Sequence, residues 1–146
     1  MIYKKLGKWG LRISALGMGT DMNLGDRCDE AMSRRMVRTA YEAGVNYFDT
    51  ADGYGNGNAE TMLGKCLADY PRHELFVLTK VGGRWQQGPN MAGLSAKHVR
   101  ESCDESLRKL SMDYIDVLMC HRPDPDTPLE ETVRAIDDLI RAGKAL

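Results

Sequence analysis

The amino-acid sequence predicts a parallel α/β fold made of four strand–helix units. Short, nearly continuous apolar runs alternate with longer segments whose apolar residues recur at the spacing of one helix face, and glycines mark many of the boundaries. Strands that are apolar throughout are typical of a parallel sheet covered by helices. The 146 residues, with a hydrophobic content of 42%, are enough for a real core, so we treat residues 1–146 as one domain.

A short hairpin and the first unit occupy the start of the chain. Residues 2–15 predict the hairpin, because a polar turn interrupts them, and residues 16–20 predict the first strand. A helix is predicted over residues 30–43, since Asp29 can cap its start and Gly44 can end it in a left-handed conformation. The apolar positions that share one face of this helix are Met32, Met36, Val37 and Ala40.

The second unit and the start of the third follow in the same order. Residues 45–48 predict a strand and residues 59–68 a helix, which Asn58 can cap. Residues 75–79 predict the third strand, and a glycine-rich loop over residues 82–93 separates it from its helix. The strand–helix unit therefore repeats, although the sequence itself does not visibly repeat.

The last two helices carry clear start signals. Ser95 can cap a helix over residues 96–110, and residues 114–120 predict the fourth strand. Residues 127–130, TPLE, form a capping box with proline at the first helical position, and Gly143 ends that helix. The apolar positions expected to face inward are Val99, Cys103, Leu107 and Leu110 in the third helix and Leu129, Val133, Ile136 and Ile140 in the fourth.

Composition excludes several classes of protein. The net charge is −1, from 20 basic and 21 acidic residues, so the chain offers no electrostatic basis for binding nucleic acid or an anionic membrane. No apolar run approaches the ~20 residues of a membrane span, and the first residues lack the apolar core of a signal peptide. The four cysteines are far apart without a CxxC pair, which predicts reduced thiols in a cytoplasm and no zinc framework.

The glycine pattern argues against a dinucleotide-binding Rossmann domain. That fold would carry G-x-G-x-x-G after its first strand, whereas Gly17 and Gly19 are followed by the residues TDM. A second cluster at Gly53, Gly55 and Gly57 also fails the pattern and follows the second strand. Polar residues at the carboxyl ends of several strands instead indicate a barrel, in which active sites gather at that face.

Four of those polar residues form a set that fits proton transfer. Asp49, Tyr54, Lys80 and His121 come from three different units, yet all fall where a predicted strand runs out. A phenol is a weak acid that ionises near pH ~10, so it can protonate a carbonyl oxygen only if a nearby cation stabilises its anion. None of the four can deliver hydride, so reduction of a carbonyl also implies a nicotinamide cofactor.

Each of these residues also has an ordinary explanation. Asp49 can be a turn or cap residue, Tyr54 an aromatic in a glycine-rich turn, and Lys80 a solvated strand end. His121 can be a loop histidine whose ring is satisfied by its neighbours. The combination favours chemistry, because four unrelated side chains would not fall at the same end of successive strands by local preference alone.

The sequence around these residues resembles the aldo-keto reductases. Residues 46–55, NYFDTADGYG, are similar to the family signature that holds its catalytic aspartate and tyrosine, and residues 79–81, TKV, to its lysine motif. Residues 121–131, HRPDPDTPLEE, resemble the branch that includes potassium-channel β-subunits and bacterial glyceraldehyde-3-phosphate reductases. Further similar segments, which extend the resemblance over essentially the whole chain, are YKKLG at residues 3–7, SALG at 14–17 and GLS at 93–95.

This resemblance implies a (β/α)8 TIM barrel and a role for each of the four residues. Tyr54 would be the proton donor, Lys80 would make it more acidic, and Asp49 would pair with Lys80. His121 would position the carbonyl, and a histidine there leans toward the bacterial enzymes, because animal channel β-subunits carry asparagine. The residues implied to line the nicotinamide end of NADP(H) are Gly19, Thr20 and Asp49. The residues implied to contact a small-molecule carbonyl substrate are Tyr54, Trp85 and His121.

The chain accounts for only the first four of the eight units of such a barrel. A barrel of this type has eight strands and about 250 residues, so four open strands leave two edges and apolar faces uncovered. Two copies could pair, a separate second-half chain could complete the barrel, or the chain could be a truncated product. We expect self-association. Two functions stay open at this point: an NADP(H)-dependent carbonyl reductase, and a non-catalytic binding or regulatory half barrel that needs a partner chain.

Overall fold

The chain folds into a two-stranded hairpin followed by four strand–helix units. The structure is a computed structural model, and it describes residues 1–83 and 87–146. Strands β1 (Tyr3–Lys5) and β2 (Arg12–Ser14) form the antiparallel hairpin. The strands of the units are β3 (Gly17–Gly19), β4 (Tyr47–Asp49), β5 (Phe76–Val81) and β6 (Val117–Cys120). The helices that follow them are α1 (Glu30–Glu42), α2 (Asn58–Leu67), α3 (Ala96–Leu110) and α4 (Leu129–Arg141).

Strands β3 to β6 lie side by side in chain order and all run parallel. The register places Gly19 beside Asp49 and Lys80 beside Met119, so the carboxyl ends of neighbouring strands meet at one rim. This arrangement confirms the predicted fold class, a partial α/β barrel preceded by a hairpin. At the outer edge of β6, Ala145 forms a parallel bridge with Ile115, whose amide donates to the carbonyl oxygen of Lys144 at 3.0 Å.

Two apolar clusters between the sheet and the helices form the core. The first lies under α1 and α2 and is built around Phe48, Leu63 and Val77, all fully buried. The second lies under α3 and α4 and is built around Val81 and Ile115. Because Phe48, Val77 and Val81 point to the helix side of the sheet, their strand neighbours Asp49 and Lys80 point to the opposite, inner side. Burial of the core thus orients the polar residues at the rim.

The helix starts follow the predicted caps in α1 and α3 and depart from them in α2 and α4. Asp29 accepts a hydrogen bond from the amide of Met32 at 2.8 Å, and Ser95 accepts one from the amide of His98 at 3.3 Å. The prediction that Asn58 caps α2 is wrong, because Asn58 is the first helical residue. The cap position belongs to Gly57, whose φ of +85° is accessible to glycine without a steric penalty.

Helix α4 differs most from its prediction, both at its start and in the face that it buries. The predicted capping box does not form, because the Thr127 hydroxyl donates to Asp124 at 2.7 Å and Pro128 occupies the cap position without a side-chain bond. The stripe expected to face inward is largely exposed, at 73% for Leu129, 55% for Val133 and 46% for Ile140. The residues that α4 buries instead are Thr132, Ala135 and Leu139.

The physical reason is that α4 is apolar on two adjacent faces. A period of 3.6 residues places Ala135 and Leu139 on one face and Val133 and Ile140 on the next, so the pattern alone cannot choose between them. A smaller departure of the same kind occurs in α1, where Val37 is buried as predicted but Met32 is 40% exposed. In α3 the expected face does pack inward, with Val99, Cys103 and Leu110 buried and Leu107 against them.

Within the ranges 1–83 and 87–146, no helix combines the length and the apolar composition that crossing a bilayer requires.

The strand boundaries also move slightly from their predicted positions. Strand β5 extends to Val81, so Lys80 lies inside the strand and not in the loop after it. Strand β6 begins at Val117, and the side chain of Asp116, the residue before it, accepts from the amide of Val77 and from the guanidinium of Arg72. The extension of β5 places Lys80 on strand backbone.

Candidate active site

The structure brings Asp49, Tyr54, Lys80 and His121 together at the carboxyl rim of the sheet. Asp49 is the last residue of β4, Lys80 is next to last in β5, and His121 follows β6 directly. Tyr54 begins a short 3₁₀ turn, Tyr54–Gly57, between β4 and α2. Parallel strands in this register deliver their terminal side chains to the same rim, which is where barrel enzymes place their chemistry.

Lys80 is the centre of the hydrogen bonding in this group. Its Nζ donates to the carboxylate of Asp49, to Tyr54 Oη at 3.2 Å and to the carbonyl oxygen of Thr50 at 3.2 Å. Its side chain is 12% exposed, so the ammonium is largely removed from water. Burial acts to lower the pKa of Lys80, but the hydrogen bonds and charges of Asp49 and Tyr54 outweigh it, and the pKa is raised. The site therefore holds a stable positive charge next to a phenol.

His121 reaches the group through its ring and not through a hydrogen bond. Its backbone amide donates to the carbonyl oxygen of Val81 at 2.9 Å, which fixes where the residue leaves the sheet. Its ring meets that of Tyr54 edge to face, with centroids 5.5 Å apart and planes at 82°. This contact keeps the two rings beside one another above the rim.

A second tyrosine, which the sequence reasoning missed, supports the carboxylate. Tyr47 Oη lies 3.4 Å from Asp49 Oδ2, while the other oxygen of Asp49 accepts from Lys80. Burial, followed by the nearby charge of Asp49, raises the pKa of Tyr47, so its phenol keeps its proton and remains a donor. Strand alternation could have identified it, because residues two apart on a strand share a face.

The predicted nicotinamide-side residues differ in what they offer. Gly19 is exposed beside Asp49, and a Cβ added to it would meet nothing within 4 Å, so the space above its backbone is open. Thr20 is fully buried, and its hydroxyl donates to Thr50 Oγ1 at 2.9 Å. The Thr20 amide also donates to the carbonyl oxygen of Asp49 at 3.0 Å. Thr20 thus ties β3 to β4, and its side chain is turned away from the open rim.

Trp85, the third residue expected to contact a substrate, lies outside the described residues. Among the residues that the structure does describe, no three histidine, cysteine, aspartate or glutamate side chains are grouped as metal ligands would be.

Buried carboxyl groups behind the rim were also missed by the sequence reasoning. Glu60, in the first turn of α2, is fully buried and accepts from the Thr79 hydroxyl at 2.6 Å. Burial raises the pKa of Glu60 despite this bond and the ammonium of Lys109, 4.0 Å away. Thr79 precedes Lys80 on β5, and its side chain points to the helix side. Glu60 therefore anchors α2 to the strand that carries Lys80.

The arrangement as a whole can deliver a proton to an oxygen atom held at the rim. A phenol that has given up its proton leaves a phenolate, and the adjacent ammonium of Lys80 stabilises that charge in a partly desolvated site. Asp49 holds the ammonium in place and balances its charge. This chemistry depends on the ammonium of Lys80, which donates both to the carboxylate of Asp49 and to the phenol of Tyr54.

Comparison with known proteins points to one family. A family model described as "Aldo/keto reductase family" matches residues 15–146. A protein of Oryza sativa subsp. japonica named "Probable voltage-gated potassium channel subunit beta" is 45% identical over 149 residues, covering 99% of this chain and 44% of that protein. An Arabidopsis thaliana protein of the same name is 43% identical, with the same coverage. A Schizosaccharomyces pombe relative, also named for a channel subunit beta, is 42% identical over 98% of this chain and 43% of its own length.

A solved structure shows the same fold. The crystal structure of a thermostable aldo-keto reductase, Tm1743, in complex with the inhibitor epalrestat, superposes with a TM-score of 0.87 at 33% identity. The match covers 99% of this chain and 52% of that one. The chain thus spans about half the length of the relatives that it matches. The three curated relatives come from plants and fission yeast, so the bacterial origin favoured by His121 stays a prediction.

Proposed function

The chain belongs to the aldo/keto reductase family, a family of oxidoreductases, and from that premise we propose that it carries the acid–base half of an NADP(H)-dependent carbonyl reductase. Tyr54 is the proton donor in this proposal, and aldehydes or ketones are the substrates. The observation that supports it most directly is that Lys80 Nζ donates to both Tyr54 Oη and Asp49. A half barrel that only bound a partner would not need the Lys80 ammonium to be shared between Asp49 and Tyr54.

The residues of the chain divide the proton chemistry between them. Tyr54 gives its proton to the carbonyl oxygen as that oxygen becomes negative, and Lys80 stabilises the phenolate that remains. Asp49 keeps Lys80 charged and in place. His121, held against the Tyr54 ring, borders the substrate and orients its oxygen toward Tyr54.

The rim fits the nicotinamide end of the cofactor, which supplies hydride when bound. Gly19 leaves open space above its backbone, where a flat ring can approach closely, and Asp49 presents a carboxylate beside it. Thr20 would contact the cofactor through its backbone atoms and not through its hydroxyl, because that hydroxyl donates to Thr50. We propose NADP(H) and not NAD(H) as this cofactor.

Substitution of Tyr54 by phenylalanine tests the assignment. Nicotinamide fluorescence quenching measures cofactor binding, and NADPH oxidation with an aromatic aldehyde or methylglyoxal measures turnover. We expect Tyr54→Phe to bind NADPH like the wild type while kcat falls by about 10²–10⁴-fold, the usual contribution of a general acid. The control Tyr70→Phe, remote from the rim, should leave both unchanged. Wild-type turnover in Tyr54→Phe would overturn the proposal.

A second set of strand–helix units is proposed to cover two exposed apolar faces of the chain. One face is the α4 stripe, defined as the exposed residues Leu129, Val133 and Ile140 together with the partly buried Ile136. The other is the α1 groove, of about 610 Å³, whose apolar lining includes Leu16, Met18, Met32 and Met36. Apolar faces beside open sheet edges are typical of contact surfaces.

The proposed occupant is a second half barrel and not a second copy of this chain. Residues 144–146 already pair with Ile115, in the place beside β6 where a further strand of the sheet would begin. The first strand of a second copy would have to displace them. The relatives are more than twice as long as their matched part, which leaves about as much chain again to cover both faces.

Sedimentation velocity distinguishes the two occupants. The chain would be run alone and mixed with a polypeptide covering the unmatched second half of the Schizosaccharomyces pombe relative. We expect a one-to-one complex that the double variant Val133→Asp/Ile140→Asp fails to form. A stable dimer of the chain alone that does not take up the second half would support self-association and overturn this proposal.

A regulatory role is the second candidate function, because three relatives at 42–45% identity carry the name of a potassium channel subunit beta. In that case a channel subunit would bind the completed protein, and Tyr54→Phe would leave binding intact. Both roles are compatible with a cytoplasmic location, which we propose because all four cysteines are unpaired in the structure.

A further inference from the structure

The turn that carries Tyr54 is attached to the segment after Lys80 through a buried aspartate. Asp52 lies two residues before Tyr54 and is 2% exposed. Its backbone amide donates to the carbonyl oxygen of Lys80 at 2.9 Å. Its carboxylate oxygen Oδ2 accepts from the amide of Gly82 at 3.1 Å. One residue therefore bonds to the backbone on both sides of Val81, at the end of the strand that holds Lys80.

The same segment is held from its other side by α3. His98, buried in that helix, has its Nε2 3.2 Å from the carbonyl oxygen of Gly83, and the hydroxyl of Ser102 lies 3.3 Å from the same nitrogen. Gly83 is packed so closely on Asp52 that an added Cβ would lie 2.5 Å from Asp52 Oδ1. The segment Gly82–Gly83 is thus confined between the Asp52 carboxylate and α3.

Tyr54 depends on the position of this turn. The Tyr54 amide donates to the carbonyl oxygen of Ala51 at 3.2 Å, which closes a tight turn with Asp52 as its second residue. Beyond this backbone bond, Tyr54 Oη contacts Lys80 Nζ at 3.2 Å. A shift of Asp52 away from Gly82 would rotate the turn and lengthen that contact. A misplacement of about 1 Å in a reacting group can lower a rate by about 10²-fold.

From these contacts we propose that Asp52 is a positioning residue, which sets the separation of Tyr54 Oη from Lys80 Nζ by tying the Tyr54 turn to Gly82 and Gly83. The inference rests on the proposed function, because that separation matters for turnover only if Tyr54 donates a proton. Burial raises the pKa of Asp52, opposed by the charge of His98 and by bonds from backbone amides, so ionising this carboxyl is unfavourable.

The test compares Asp52 with a buried aspartate at the opposite end of the same strand. Asp116 accepts from the amide of Val77 at 2.9 Å, near the start of β5, as Asp52 accepts from Gly82 just beyond its end. Both substitutions to alanine should destabilise the fold. We expect Asp52→Ala to lower kcat by about 10- to 100-fold with little change in KM, and Asp116→Ala to leave kcat unchanged. Asp52→Asn, which keeps an acceptor for Gly82, should restore most of the turnover.

A substitution at Gly83 tests the contact between Asp52 and the Gly82–Gly83 segment from the other partner. Gly83→Ala places its Cβ against Asp52 Oδ1, so it should lower kcat in the wild type. It should cause no further loss in Asp52→Ala, because the oxygen that it meets is then absent. Asp52→Asn and Gly83→Ala each change the volume of the site only slightly. They keep the inference testable if Asp52→Ala folds poorly.

A spectroscopic readout separates this inference from the proposed function. The bond to Tyr54 is one of the contacts that raise the pKa of Lys80, so NMR titration of a labelled Lys80 should show that pKa fall in Asp52→Ala and stay constant in Asp116→Ala. If the wild type, mixed with the second-half polypeptide used in the sedimentation test, reduces no carbonyl but the Lys80 pKa falls in Asp52→Ala, the proposed function is wrong and the positioning role stands. If kcat and the Lys80 pKa are both unchanged in Asp52→Ala, the positioning role is refuted.

Discussion

Thr79 and Lys80 show how neighbouring residues of one strand bond to partners on its opposite sides. Lys80 faces the rim, where Asp49 and Tyr54 hold its charge, and Thr79 before it faces the helices, where it donates to Glu60. Strand alternation makes this division obligatory. A buried carboxyl of this kind is costly unless it is well bonded. Glu60 is therefore a place where stability should depend on pH.

Glu60→Gln should remove that dependence. Burial raises the pKa of Glu60 in the folded protein above its ordinary value of 4.5, so the folded protein binds the proton more tightly than the unfolded chain, and stability falls as pH rises from 4.5 through the folded pKa. Glutamine can still accept from Thr79. The free energy of unfolding of Glu60→Gln, relative to wild type, should therefore rise with pH across this window in urea titrations.

Glu105 provides a control of opposite sign on α3. Its hydrogen bond to Arg108, the largest cause, lowers the pKa of Glu105 below 4.5, so its contribution to stability is present above 4.5 and is lost as pH falls through the folded pKa. The difference between Glu105→Gln and wild type should change below pH 4.5 and in the opposite direction. Parallel behaviour of the two variants would contradict the burial of Glu60.

Helix α4 shows which features of a secondary-structure element follow from its local sequence and which depend on packing. Its position, length and amphipathic character follow from the spacing of its apolar residues, and the structure confirms all three. The face that packs on the sheet does not follow, because α4 has apolar residues on two adjacent faces and only docking against Val81 and Ile115 selects one of them. The start also shifts by local competition, since the Thr127 hydroxyl bonds to Asp124 and not to the helix.

Two leucines on α4 test which face is buried. Leu139 is 4% exposed in the second core cluster, so Leu139→Ala should lower the free energy of unfolding by about 2–5 kcal/mol. Leu129 lies in the exposed α4 stripe, and Leu129→Ala should change it by no more than ~0.5 kcal/mol. Urea denaturation of the chain alone at low micromolar concentration measures both. A larger loss for Leu129→Ala than for Leu139→Ala would mean that α4 docks through the other face.

Considered as a whole, the chain has a well-packed layer of helices on one side and an open rim and two apolar faces on the other. The two core clusters lie between the sheet and its helices, so the half barrel has a core of its own. The rim and the outer face of α4 are less well covered, because Tyr54 is partly exposed and Leu129, Val133 and Ile140 are exposed. The helix layer and the rim are thus distinct parts of the molecule, and the stability of the first can be measured separately from the proposed activity of the second.

Cysteine reactivity measures the integrity of the helix layer. Cys103 is fully buried in the second cluster, and burial raises the pKa of its thiol to about 11, whereas Cys28 is partly exposed. At pH 8 we expect iodoacetamide to modify Cys28 readily and Cys103 only when the fold opens. Mass spectrometry of peptides after timed labelling, with and without urea, checks this. Rapid labelling of Cys103 without urea would show that the isolated half barrel is not stably packed.

The amino-acid sequence alone predicted the strand–helix alternation, because apolar runs, caps and short motifs are local. It also predicted that Asp49, Tyr54, Lys80 and His121 would meet, because parallel strands bring their carboxyl ends to one rim. Packing alone selected the buried face of α4, turned the Thr20 hydroxyl toward Thr50, and joined Asp52 to Gly82 and Glu60 to Thr79. These contacts join residues 19 or more positions apart, so they depend on register and on the close fit between layers, which no local pattern encodes.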